Sequence, residues 1–209
     1  MGRFDRDRAW GEISDRIVMG RLPAGTALDE RSLADEVGVC EPDLREALCV
    51  LQRDGFVREE DGGSFSVTHL DEIELRETYP VVLLLEGLAV RTTPSFAAES
   101  LAHLREINAD MERDADDGAA AALHDFAFHR ELVSHCGNDQ LLTTLRPLKR
   151  LLLRYELAYM SVPRNVGRSV RQHAEIVDAI ERGDRDTAAA VVEANFRDAM
   201  PRLLENFTG

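Results

Sequence analysis

A chain of 209 residues can form one large domain or two small ones, and 44% hydrophobic with 31% charged residues reads as a soluble globular protein. A net charge of −14 argues against a passive nucleic-acid coat, which needs a basic surface. The longest apolar run, Val81-Val82-Leu83-Leu84-Leu85, stops at Glu86, far short of the roughly 18–20 residues that span a bilayer. The segment Met1 to Trp10 is charged and has no signal-peptide core, so the expectation is a cytoplasmic protein with no membrane partner. Cys40, Cys49 and Cys136 form no C-x-x-C pair and are expected to be reduced, mostly packed thiols. Of the 25 basic residues, only Lys149 is not arginine.

In chain order, Asp5 to Met19 carries Trp10, Ile13, Ile17 and Val18 at helical spacing, stopped by Gly20 and Pro23. Leu28 begins a short extended piece. Arg31 to Val37 forms a brief helix with Gly38 as its C-terminal turn. Pro42 can open the next helix at no cost to its missing N–H, and Leu44, Ala47, Leu48 and Leu51 form its core stripe, ended by Gly55. Phe56-Val57 and Phe65-Ser66-Val67 flank Asp61-Gly62-Gly63, a hairpin signal. This order predicts a winged helix-turn-helix over residues 1–70.

From Asp71 the pattern is helical to the end, giving a mostly α protein whose second domain, 71–209, is an antiparallel helical bundle. Helices are expected near residues 72–92, 96–115, 119–135, 139–159, 165–182 and 185–206. Pro94, Asp117-Gly118, Gly137-Asn138, Pro163 and Gly183-Asp184 separate them, and Pro80 and Pro147 predict kinks.

With those segments placed, the chain resembles the GntR family of regulators, in its FadR-like branch with an FCD effector domain. The first domain carries the resemblance in Gly20-x-Leu22-x-x-Gly25, Leu33-Ala34-x-x-x-Gly38-Val39, Leu44-Arg45-Glu46-Ala47-Leu48 and Leu51-x-x-Asp54-Gly55-Phe56-Val57. The second carries it in Leu85-Glu86-Gly87-Leu88-Ala89, Asp125-x-x-Phe128-His129, Gly137-Asn138-x-x-Leu141 and His173-x-x-Ile176-x-x-Ala179-Ile180-x-x-Gly183-Asp184. The resemblance implies a homodimeric transcription regulator, with repression as the leading sense. Such a regulator reads a palindromic double-stranded DNA operator and changes affinity when a small-molecule effector enters the bundle.

The DNA-facing positions it implies are Arg31, Glu41, Pro42 and Arg45, with the Gly62-Gly63 turn at the adjacent minor groove. An arginine such as Arg45 can reach a guanine edge or a phosphate. Glu41 departs from the family's usual arginine, and the wing Glu59-Glu60-Asp61 is acidic where a basic wing is usual. Residues 1–70 hold 9 arginines against 15 acidic residues, a domain charge of −6. Each absent phosphate contact removes a counterion-release increment. The competing expectation is therefore a ligand-sensing or protein-interaction module with weakened DNA binding.

Asp125 and His129, four residues apart, project from one helix face roughly 40° apart, on the same side as Phe126, Leu132 and Val133. A buried carboxylate and imidazole need partners. Two readings follow: an Asp–His hydrogen bond in the core, or a metal site with His173 as third donor. In the metal-binding relatives a fourth histidine completes the set. Here that position is Asn195, level with His173 across the Gly183-Asp184 turn. The expected cofactor is a divalent ion, zinc, manganese or nickel. His124 and His135 lie on another edge and are expected to be exposed or capping groups. The effector pocket is expected around Val82 and Glu86. Val82 stands near the position at which many relatives carry an arginine that grips a carboxylate ligand, and the stretch here is apolar. Arg150 and Arg154 are offered as substitutes, although a surface location for them and for Tyr155 and Tyr159 is the preferred reading. An enzyme using the Asp/His/His site is the remaining class, and the chain shows no nucleophile elbow, P-loop or dinucleotide fingerprint.

Overall fold

Ala9, Ile13, Ile17 and Val18 recur at helical spacing, so helix α1 (Gly2–Val18) buries one stripe, and Gly20 with φ 70° turns the chain out of it. Helix α2 (Glu30–Val37) opens on an Asp29 cap whose carboxylate accepts from the Ser32 N–H. It closes on Gly38, left-handed at φ 72°, whose N–H bonds to the Ala34 carbonyl. Helix α3 (Glu41–Arg53) carries proline in its first turn and seats Leu44, Ala47, Leu48 and Leu51 at full burial against α1. Each such leucine contributes roughly 1.5–3 kcal/mol of burial. Strands β2 (Val57–Glu59) and β3 (Phe65–Val67) pair antiparallel across the glycine turn. Strand β1 (Ala27–Leu28) adds to the far side of β3 with Leu28 opposite Phe65. Helix, helix, turn, helix and hairpin is the winged helix-turn-helix the sequence predicts.

The computed structural model describes residues 2–207, with side chains at 5–205 and 207. It divides into two units that meet between Asp71 and Glu72. The second unit is six helices: α4 (Glu72–Thr92), α5 (Ala98–Arg113), α6 (Gly118–Ser134), α7 (Asp139–Met160), α8 (Pro163–Glu181) and α9 (Arg185–Leu204). Three of the predicted breaks are side-chain caps. Asp117 accepts from the N–H groups of Ala119 and Ala120, Asn138 from that of Leu141, and Asp184 from that of Thr187. Gly118 also permits a close approach, because a Cβ there would lie 2.7 Å from Ser161 Cα. Helix α4 packs on α9, α9 on α8, and α6 on both α5 and α7. Pro80 and Pro147 lie inside α4 and α7, as does Pro201 inside α9, each withholding one helix hydrogen bond. No helix among the described residues is long and apolar enough to cross a membrane.

The cysteine expectation needs correction. Cys136 is buried, but Cys40 and Cys49 are exposed, because both fall on the side of the α3 segment that faces away from α1.

Candidate metal centre

Helix α6 delivers Asp125 and His129 from adjacent turns, and α8 delivers His173 across from them. All three are buried, and one ligand atom from each lies within 4.8 Å of the other two. His173 Nε2 is 3.3 Å from Asp125 Oδ1, and His129 Nε2 is 3.9 Å from Asp125 Oδ2. The second distance excludes the simple Asp125–His129 core hydrogen bond. The outer nitrogens are fixed instead by other helices: His129 Nδ1 by Glu86 Oε2 of α4 at 2.5 Å, and His173 Nδ1 by Asn108 Oδ1 of α5 at 3.1 Å. With Nδ1–H donating in each ring, both Nε2 lone pairs turn toward Asp125, the way a metal-ligating histidine is oriented by a carboxylate or amide behind it. Asp125 Oδ1, His129 Nε2 and His173 Nε2 have no hydrogen-bond partner among the described residues. Phe128 stacks on His173 with ring centres 3.8 Å apart, and Phe196 packs edge-on to His129 at 5.1 Å, so both rings are held in place.

Asn195 is buried on α9, next to Phe196, and its Nδ2 donates to Gln172 Oε1 at 3.0 Å. The α8/α9 hairpin therefore pairs residue 172 with residue 195. His124 is half-buried and meets Asp114 at 2.9 Å, while His135 caps the C-terminus of α6 and meets Glu131 at 3.0 Å.

Around the triad lies a buried ionic cluster. The Lys149 ammonium of α7 is 3.3 Å from Glu86 Oε1, 3.6 Å from Glu156 Oε1 and 4.7 Å above the Phe196 ring. Burial pushes the Lys149 amine down, but the carboxylates outweigh it and hold it charged. Burial pushes Asp125 up, yet His173 3.3 Å away and the other neighbouring cationic groups hold it at about 2. Burial lowers His129, and Glu86 reverses the direction so that the net shift is upward. In His173 burial prevails and the imidazole stays low. Burial raises Glu156, partly offset by Lys149. Three buried carboxyl groups thus share one ammonium and the upward-shifted His129, an excess of acid that a divalent cation offsets. Lys149, Glu156 and Asn108 were not among the expected site residues. The signals lay in an acid inside the apolar run Leu151 to Met160, the single lysine of the chain, and the helical spacing of Asn108 with Leu104 and Met111.

A cavity of about 370 Å³ opens between α6 and α7, and Glu86, His129 and Arg150 line it. Two of the expected effector residues do not line this cavity. Val82 is fully buried in the α4 packing, and Arg154 is buried on α7, where burial lowers its pKa despite Tyr155 and Glu74 beside it. The surface reading of Arg154, Tyr155 and Tyr159 is likewise overturned. All three are buried, because α7 is apolar nearly all round from Leu151 to Tyr155, and the Tyr155 hydroxyl donates to Glu74 at 2.6 Å.

In the first unit Arg31, Glu41, Pro42 and Arg45 are all exposed, and Gly62 and Gly63 hold φ 102° and 83° in the wing turn. Arg45 is already engaged: Nη1 meets Glu30 at 2.6 Å, Nη2 donates to the Gly63 carbonyl at 3.1 Å, and Glu59 stands 3.7 Å away. Its guanidinium lies 5.5 Å from the Phe65 ring centre. Arg45 therefore links α2, α3 and the wing.

Comparison with known proteins follows the same division. Residues 77–198 match the FCD domain, and residues 6–67 match the bacterial regulatory proteins of the gntR family. The gluconate operon transcriptional repressor of Bacillus licheniformis is 28% identical over 203 residues, covering 92% of this chain and 82% of that protein. The Nta operon transcriptional regulator of Aminobacter aminovorans is 28% identical over 187 residues, covering 88% of each. Among solved structures, a GntR transcriptional regulator of Rhodococcus sp. RHA1 superposes with TM-score 0.77 at 21% identity, covering 96% of this chain and 97% of that one. E. coli McbR/YncC superposes with TM-score 0.78 at 15% identity, covering 97% and 98%. At these identities the structural likeness is one of fold.

Proposed function

This chain belongs to the gntR family of bacterial regulatory proteins, in the branch that carries an FCD domain, and from that premise we propose a homodimeric, ligand-responsive repressor that holds a divalent metal ion in its helical domain. The family is one of transcription regulators, not enzymes, so the metal's role is structural and ligand-sensing.

The observation that carries the metal is the convergence of three buried donors with no hydrogen-bond partner, Asp125 Oδ1, His129 Nε2 and His173 Nε2, in a cluster short of positive charge. Two imidazoles and a carboxylate suit zinc, nickel or manganese. Asn195 or water completes the shell, and Glu86 and Asn108 orient the two histidines. When bound, the ion supplies the missing positive charge and ties α6 to α8. Repression is supported by the gluconate operon repressor among the relatives. Dimerisation is supported by an exposed apolar stripe on α4, Val81, Leu84 and Leu88, at helical spacing, and two recognition helices are what a palindromic operator requires. A cytoplasmic location follows from that role.

Elemental analysis of protein purified without an affinity tag tests the metal. We expect stoichiometric zinc, nickel or manganese, loss of thermal stability on chelation, loss of binding in His173→Ala and tighter binding in Asn195→His. Protein that carries no metal and takes none up on soaking overturns the site. A second reading, a sensor that has lost its operator, is favoured by one observation: Arg45 is neutralised by Glu30 and Glu59. Gel-shift titration against the DNA upstream of the protein's own gene separates the two readings.

A further inference from the structure

With Leu44, Ala47, Leu48 and Leu51 seated against α1, helix α3 keeps Glu41, Arg45 and Cys49 in one exposed row, about a turn apart. A glutamate four residues before an arginine is the favourable order for an ion pair on a helix surface. Arg45 is turned elsewhere, to Glu30 at 2.6 Å, the Gly63 carbonyl at 3.1 Å and Glu59 at 3.7 Å. Asp43, the other acid of the first turn, accepts from the Cys40 thiol at 3.0 Å. The Glu41 carboxylate is thereby left exposed, with no hydrogen bond or ion pair among the described residues.

In a helix-turn-helix the N-terminal residues of the second helix meet base edges in the major groove, and Glu41 is the first residue of that helix here. An ionised carboxylate can only accept hydrogen bonds. Phosphates, guanine N7 and O6, and thymine O4 therefore repel it. The major groove offers it two donors, the N4 amine of cytosine and the N6 amine of adenine. The adenine amine has acceptors on both sides, its own N7 and the O4 of the paired thymine. The cytosine amine has an acceptor, the O6 of the paired guanine, on one side only. Cytosine is thus the base that a lone carboxylate meets with least repulsion.

We propose that Glu41 is a specificity-determining residue whose carboxylate accepts from the N4 amine of one cytosine in each operator half-site. The inference rests on the operator-reading function above and adds which base the operator carries opposite residue 41. It also gives the −6 charge of residues 1–70 a consequence. An acid on the reading helix is repelled by every duplex through the phosphates, and that repulsion is offset only where a cytosine amine stands opposite, so the carboxylate selects by rejecting other sequences.

Selection of the full chain on a pool of randomised duplexes, followed by gel-shift titration of the enriched site, tests this. The unaltered protein should enrich cytosine at one fixed position of each half-site. Changing that cytosine to guanine or thymine should weaken binding about five- to 150-fold, and a pyrimidinone base that lacks the amine should do the same. Selection repeated on variants should move that position alone: to guanine in Glu41→Arg, to adenine in Glu41→Gln, and to no preference in Glu41→Ala. Asp61→Asn removes one wing charge as a control, and should strengthen binding to all duplexes alike while keeping the cytosine. Circular dichroism shows whether each variant keeps its helical content, and the exposed, unpartnered Glu41 side chain should be replaceable without loss of it. An identical site from the unaltered protein and all three Glu41 variants would remove residue 41 from the base contacts. Glu41→Ala that gains affinity on every duplex alike would reduce the residue to a repulsive charge, and enrichment of any base but cytosine at the position that moves would overturn the assignment. A protein that enriches no sequence at all refutes the operator reading itself, a result distinct from an enriched site that ignores residue 41.

Discussion

At the scale of single residues, the energetics concentrate on charges taken out of water. Lys149 compensates Glu86 and Glu156 at full burial, and removing one partner of such a cluster costs about 3–5 kcal/mol because the remaining charges stay buried. Lys149→Met should therefore lower the thermal midpoint far more than Lys149→Arg, which keeps the charge. The imidazoles give opposite pH dependences. His173 is held neutral by burial, so without metal its contribution is lost as pH falls below the ordinary imidazole value of about 6.5. His129, raised by Glu86, contributes fully below about 6.5 and loses that contribution as pH rises through its folded value. Asp125 is lowered, so its contribution is present above its unfolded value of about 3.9 and fades as pH falls toward about 2. Metal retention should fall as pH drops below about 6.5, where protons compete for both imidazoles, and metal content after dialysis across that range measures it. On the DNA side, Glu30→Gln should release Arg45 and strengthen operator binding in a gel shift, and Arg45→Ala should weaken it about tenfold or more. Unchanged affinity in both variants would remove Arg45 from the recognition surface.

At the scale of elements, α4 works on two faces. Val82, Glu86 and Ala89 are buried, while Val81, Leu84 and Leu88 stand in solvent at 45%, 61% and 44% exposure. Leu84→Glu should give a monomer in sedimentation with its helical content intact, and a variant that stays dimeric would move the interface off this helix. The element boundaries were legible because short-range chemistry sets them. Asp117, Asn138 and Asp184 are caps wherever they stand, and Gly38 ends α2 by its φ alone. The Asp125 and His129 pair was legible too, since helical spacing puts both on one face, whereas His173 came only with the family resemblance because α7 separates α8 from α6. The ionic cluster was not. Which way Glu86, Lys149 and Glu156 point depends on how α4 and α7 rotate against α6, a long-range outcome that no local pattern encodes. The same rotation buries Arg154 and Tyr159, which a sequence reading leaves at the surface.

At the scale of the whole molecule, charge decides how DNA can be bound. A chain at −14, with −6 of it in the reading domain, has few arginines to spare for phosphates. The logarithmic salt dependence of operator binding should therefore be shallow compared with the slope near −10 of a strongly basic reader, and Glu41→Arg should steepen it by about one unit per site gained. A slope as steep as that of a basic reader would mean that more phosphate contacts form than the surface charge suggests. Finally, because the only lysine of the chain is 5% exposed inside the helical domain, an amine-acylating reagent meets its side chain slowly, through the cavity it lines and as those helices part. The rate at which that one amine is acylated is thus a clock for the opening of the bundle. It should slow whenever an occupant locks α4, α6 and α7 together, so a mass spectrum can time the breathing of the sensor without any label being engineered into it.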